Sequence, residues 1–118
     1  MGEAGYKRLI VWEKADQLAK EIYIRTRCFP KEELYGLTSQ LRRAGLSVPT
    51  NIVEGCARKS RKELQQFLNI ALGSLVETEY LLKFVFDMKF FEQNDYDQLE
   101  KLRQEVGNLL WRFNQSIH

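Results

Sequence analysis

The side chains able to carry chemistry in this sequence are few, and most of them stand apart from one another. There is one histidine in 118 residues, His118, and it is the last residue. The two cysteines, Cys28 and Cys56, belong to no pair with metal-binding spacing. A catalytic thiol needs a base held beside it, and neither cysteine has a histidine near it in sequence. A di-metal carboxylate site of the kind helical bundles host needs two Glu-x-x-His pairs, which a single terminal histidine rules out. Gly36, Gly45, Gly55 and Gly73 are too scattered to form a phosphate-cradling or dinucleotide-binding loop. Glu54, Glu77 and Glu79 are acids set among apolar neighbours and are the remaining candidates for acid–base work. Acids at helical spacing are ordinarily solvated or ion-paired. The composition therefore points away from an enzyme, and no cofactor or metal is expected.

The basic residues form the more coherent group. The formal net charge is +2, but it is unevenly distributed. Residues 31–62 hold seven basic and three acidic groups, whereas residues 63–118 hold five basic and nine acidic ones. The middle of the chain is thus the candidate anion-binding region. Arg42 and Arg43 are adjacent, and Arg58, Lys59, Arg61 and Lys62 surround what reads as a turn. Gathered on one surface, these six would neutralise several phosphates, and binding would weaken steeply with salt. No aromatic residue lies between positions 36 and 66, so the sequence gives no sign of base stacking there. The competing reading is a solvated face, with Arg42 or Arg43 paired to Glu54 or to another helix.

Four helices must position these groups. Val11, Ala15, Leu18 and Ile22 recur at helical spacing, with Trp12, Ala19 and Tyr23 as a second strip. Phe29-Pro30 ends that segment, because the residue before proline resists the α region. Pro30 followed by Lys31, Glu32 and Glu33 reads as a helix start. Leu34, Leu37, Leu41, Ala44 and Val48 continue it. Pro49 falls inside this second helix, where it removes a backbone donor and crowds the carbonyl of Gly45. The expectation is a kink at Pro49, or a break with immediate restart, and a stop near Gly55. Ser60 and Glu63 form a capping box for a third helix, whose apolar set includes Leu64, Leu68, Ala71, Leu75, Leu82 and Val85. Asn94-Asp95 is expected to cap the fourth, in which Leu99, Leu102, Val106, Leu109, Phe113 and Ile117 alternate as a packing seam.

The fold class is all-α, an up-down-up-down four-helix bundle forming one domain over residues 1–118. The apolar stripes of the first and third helices are wider than one core requires, which suggests a second buried surface and hence a subunit interface. No run of about 18 apolar residues is present, so no membrane span is expected. The first residues lack the apolar core of a signal peptide, and Tyr6 stands where a myristoylation pattern wants Ser or Thr. The expected location is cytoplasmic, with both thiols reduced and partly buried.

The run GLTSQLRRAGLSVPTNIVEGCAR, residues 36–58, closely resembles the signature of the bacterial four-helix-bundle proteins first noticed as reading frames inside intervening sequences of 23S rRNA genes. VWEKA at residues 11–15, FPKEELYGL at residues 29–37 and FLNIALGSLVETE at residues 67–79 are similar to that family's other blocks. The resemblance runs in order over residues 9–90. It implies the bundle fold. The family is also similar to the accessory protein of diversity-generating retroelements, a pentameric barrel that binds nucleic acid and its reverse transcriptase through a basic surface. By that resemblance the chain is expected to form a homo-oligomer, a pentamer, and to bind RNA or DNA without catalysis. In the signature itself, Pro49 would set a kink and Asn51 would bond a carbonyl freed by it. Ala44, Gly45, Ala71, Gly73 and Ser74 would let helices approach closely. The alternative function is a structural or adaptor protein whose oligomer holds a protein partner.

Overall fold

The computed structural model describes residues 5–117; the readings of the first residues and of His118 lie outside them. Four α-helices account for the architecture: α1 Ile10–Arg25, α2 Ser39–Cys56, α3 Arg61–Asp87 and α4 Gln93–Ser116. Each helix packs on its sequence neighbours, and α1 also packs on α4, which closes the bundle with α1 and α3 on one diagonal. The molecule measures 43 × 24 × 21 Å. Its long axis is set by α3, whose 27 residues span about 40 Å at 1.5 Å per residue. No strand is present among the described residues.

The core follows the apolar stripes. Leu18, Ile22, Leu41, Ile52, Leu68, Leu82, Leu99 and Leu110 are its largest fully buried side chains. On α4 the buried line runs through Leu99, Val106, Leu110 and Asn114, while Leu102, Leu109, Phe113 and Ile117 are only half-buried. The seam expected from strict 3-4 alternation is therefore rotated toward spacings of four. A straight helix drifts by about 20° per heptad relative to a 3.5-residue repeat. Glycine serves close approach at two places. A Cβ on Gly45 would meet Ile22 Cδ1 of α1 at 2.8 Å, and one on Gly55 would meet Leu64 Cδ1 and Phe67 Cβ of α3 at 3.0 Å. Gly73 does not share this role, since a Cβ there would meet nothing within 4 Å.

The helix ends correct several expectations. The segment after Pro30 does not enter an α-helix directly. It makes a 3₁₀ turn at Lys31–Glu33 and a wide π turn at Leu34–Thr38. The irregular backbone sits at Gly36 (φ −114°, ψ −111°), and the Glu33 carboxylate accepts the Leu37 N–H at 3.3 Å. α2 then runs through Pro49 without a break. The Asn51 side chain donates to the Ser47 carbonyl at 2.8 Å and to Ser47 Oγ at 3.0 Å. It does not reach Gly45, whose carbonyl is the one that loses its partner to Pro49. Ser60 caps α3 as expected, its Oγ accepting the Glu63 N–H at 3.0 Å. α4, by contrast, starts at Gln93 after Glu92 with no side-chain cap. Asp95 lies in its first turn and accepts Arg25 Nη1 at 2.7 Å, joining the end of α1 to the start of α4.

The α3–α4 turn places Lys89 at φ 66°, a left-handed conformation that costs an L-residue about 1–2 kcal/mol. Glycine adopts it freely but loses more entropy on folding. Lys89→Gly is therefore expected to stabilise the fold by roughly 0.5–1 kcal/mol, measured as an increase in the denaturation midpoint.

Candidate nucleic-acid interface

The six basic residues do not share one surface. Arg42 and Arg43 lie in the first turns of α2, and Arg58 follows its last turn. Sixteen residues of helix separate Arg42 from Arg58, about 24 Å at 1.5 Å per residue. The two groups thus occupy opposite ends of the bundle.

Arg42 is already engaged. Its Nε donates to Thr26 Oγ1 at 2.8 Å and its Nη2 to the Tyr23 carbonyl at 3.3 Å, and the guanidinium lies 4.7 Å from the centre of the Tyr23 ring. Thr26 Oγ1 in turn donates to the Ile22 carbonyl at 2.7 Å. A cation at the carbonyl end of α1 complements its dipole, so this side chain fastens α2 to α1. Arg43 is exposed and lines an open polar groove of about 590 Å³ between α2 and α3, together with Tyr35, Gln40, Ser47 and Glu77. Ser47 and Ser74 hydrogen-bond across the floor of that groove at 2.7 Å.

At the other end, Lys59, Arg61 and Lys62 are exposed and make no ion pair among the described residues. Arg58 pairs with Glu54 at 3.2 Å and lies over the Phe67 ring, 4.7 Å from its centre. The fold adds cations that the sequence pattern did not group with these. Lys7 and Arg8, in the 3₁₀ turn leading into α1, and Arg112, near the end of α4, come to the same end of the bundle. At this end a cleft of about 400 Å³ opens, with Leu9, Leu64, Phe113 and Ile117 as its apolar lining and Arg58, Lys59 and Arg61 among its residues. Cys56 also lines it. Phe67 and Phe113 were invisible as partners of the basic run because they are contributed by α3 and α4.

The candidate acid–base carboxylates are dispersed. Glu54 is paired to Arg58, Glu79 lies 3.6 Å from Arg103, and Glu77 lines the groove at the other end. Arg103 donates from Nε to Glu100 at 2.9 Å, and this hydrogen bond holds its guanidinium in the charged form beyond the usual range. Among the described residues no cluster of His, Cys, Asp and Glu is arranged to hold a metal ion, and no helix is long and apolar enough to cross a membrane.

Burial raises the Cys56 thiol above its ordinary value, and burial, followed by Glu100, raises the Tyr96 phenol. In both, the folded state favours the neutral form. Their contribution is fully present below the ordinary thiol and phenol ranges and is lost as pH rises through them. The melting temperature is accordingly expected to fall between about pH 8 and 11, and Cys56→Ser should flatten the thiol part of that fall.

Beyond its cationic end the chain carries apolar surface. Val76, Tyr80 and Phe84 recur every four residues along α3 on the side away from the core, with Met88 continuing the row just past its end, and Val76 and Tyr80 are 64% and 63% exposed. Across the bundle, Ala19, Tyr23 and Ile24 of α1 and Leu46 of α2 line a shallow groove of about 420 Å³.

No curated protein matches this sequence. Among solved structures, the chain is similar to a protein of unknown function from the S23 ribosomal protein family of Bacteroides thetaiotaomicron, with 24% identity and a TM-score of 0.81 over 90% of this chain and 96% of that one. At that identity the likeness shows the fold. The family model for 23S rRNA-intervening sequence proteins matches residues 7–112, so that the bundle, its signature run and its unbroken second helix are those of a chain that belongs to the 23S rRNA-intervening sequence protein family.

Proposed function

We propose that this protein is a non-enzymatic accessory protein that binds nucleic acid, RNA in the first place, as a ring-shaped homo-oligomer in the cytoplasm. One observation carries the reading: Arg58, Lys59, Arg61 and Lys62 stand together at one end of the bundle, and the last three are exposed and have no carboxylate partner among the described residues. Exposed cations in a row are suited to phosphate oxygens, with affinity coming from counterion release. Arg42 is better assigned to holding α1 against α2, and Arg43 to the separate groove beside Glu77.

The apolar surfaces support self-association. A closed ring needs head-to-tail contact between two different patches on each protomer. The α3 row and the α1–α2 groove are two such patches, α1 lying diagonally opposite α3. A ring brings several cationic ends together, and avidity then multiplies a weak single contact. Five copies of a 14.0 kDa chain would weigh about 70 kDa.

Purification without nuclease, followed by light scattering with ultraviolet absorbance, tests this reading. A multimer carrying co-purified nucleic acid is the expected result. A nucleic-acid-free monomer would contradict it. The second reading, an adaptor for a protein partner, draws on the same α1–α2 groove; a partner recovered stoichiometrically after nuclease treatment would favour it.

A further inference from the structure

We propose that the cleft at the cationic end receives an unstacked base, so that the preferred ligand is a single-stranded or bulged segment and not a continuous duplex. This rests on the nucleic-acid reading above and specifies its ligand. Three observations converge on it. The cleft is apolar within, lined by Leu9, Leu64, Phe113 and Ile117, yet its rim is cationic through Arg58, Lys59 and Arg61. An occupant must therefore present an apolar face joined to negative charge. Its volume of about 400 Å³ falls in the range of small-molecule sites, roughly 300–1,000 Å³. Arg58, which lines the cleft, holds its guanidinium 4.7 Å from the centre of the Phe67 ring, a guanidinium–aromatic pair of the kind on which bases stack.

A base flanked by phosphates meets these demands together. Its ring would enter against Phe113, and the phosphates on either side would lie on Lys59, Arg61 and Lys62. In a duplex the bases are stacked inside, and only the backbone would touch the cations. Single strands should then bind more tightly than duplexes of equal charge.

Cys56 provides a direct reporter, because it lines the cleft and the other cysteine, Cys28, is exposed and removable. In the Cys28→Ser protein, the rate of Cys56 modification by N-ethylmaleimide would be followed at about 50 mM salt. The additions are a single-stranded RNA of about 12 nucleotides, a blunt duplex of the same length, or decanoate, with nucleic-acid binding followed in parallel by fluorescence anisotropy. Single-stranded RNA at ten times its Kd should slow modification about tenfold, while bound duplex should leave the rate unchanged. Phe113→Leu, which conserves most of the packing volume, should weaken single-strand binding about tenfold and duplex binding little. Binding of single strands without protection of Cys56 would overturn the base cleft and leave the phosphate reading standing. Equal protection by duplex, or protection by decanoate alone, would also overturn it. Failure of both nucleic acids to bind would remove the phosphate reading and this inference together.

Discussion

With Lys59, Arg61 and Lys62 all replaced by glutamine, RNA binding at about 0.1 M salt is expected to fall about a hundredfold, and the slope of log K against log salt should become shallower by about 2 to 3. Each cation on a phosphate contributes roughly 0.7 to 0.9 to that slope. The three side chains are exposed and bond to no other described residue, so the melting temperature should hardly change. Ser60 and Glu63 remain in place, and with them the cap of α3. Arg42→Gln should behave in the opposite way. It removes the bonds to Thr26 and the Tyr23 carbonyl, so it should cost about 1–3 kcal/mol of stability while leaving the salt slope intact. The two variants together separate a binding cation from a structural one. Unchanged affinity in the triple variant would remove Lys59, Arg61 and Lys62 from the interface.

Replacing Tyr80 and Phe84 by lysine is expected to convert the proposed ring into 14.0 kDa monomers. Their rings contact one another at 6.1 Å between centroids on the outer side of α3, and Tyr80 is 63% exposed in the protomer. Burying two introduced ammonium groups against an apolar neighbour would cost several kcal/mol per charge. The chain itself keeps its core-facing line of Leu68, Ala71, Leu75, Leu82 and Val85, although Phe84, 37% exposed, gives up some packing of its own. Helical circular dichroism should be retained. In a head-to-tail ring, Leu46→Lys in the opposing groove should dissociate the assembly as well. Scattering mass checks both. A multimer that survives both changes would place the interface elsewhere, whereas one that breaks only through α3 would mean a symmetric, two-fold contact.

The bundle was legible in the sequence because its signals are periodic and local. Helical spacing gave four elements, Ser60 with Glu63 gave a cap, and the breadth of the α3 stripe gave a second apolar surface. What escaped was set by tertiary geometry or by backbone detail. The π turn at Leu34–Thr38 hides inside an apolar spacing that reads as ordinary helix, and Gly36 alone does not announce it. Pro49 signals a kink or an interruption in α2, and the interruption does not occur, since the helix continues through it. Asp95 looked like a cap because its residue type favours one, yet it serves Arg25 on another helix. Arg42 and Arg58 look alike in sequence. Only the fold shows that one is held by the end of α1 and the other lies over Phe67 beside an open cleft. The convergence of Phe67 and Phe113 on the basic turn needed three helices to be placed, which no local pattern encodes.

The central claim is that the basic end of this bundle binds RNA through its phosphates. Titration of a labelled structured RNA with the intact protein, followed by anisotropy between about 50 and 200 mM salt, tests it most directly. Saturable binding is expected at the lower salt, weakening steeply, by tenfold or more, across the range. No binding at about 50 mM salt, or binding that does not respond to salt, would contradict it.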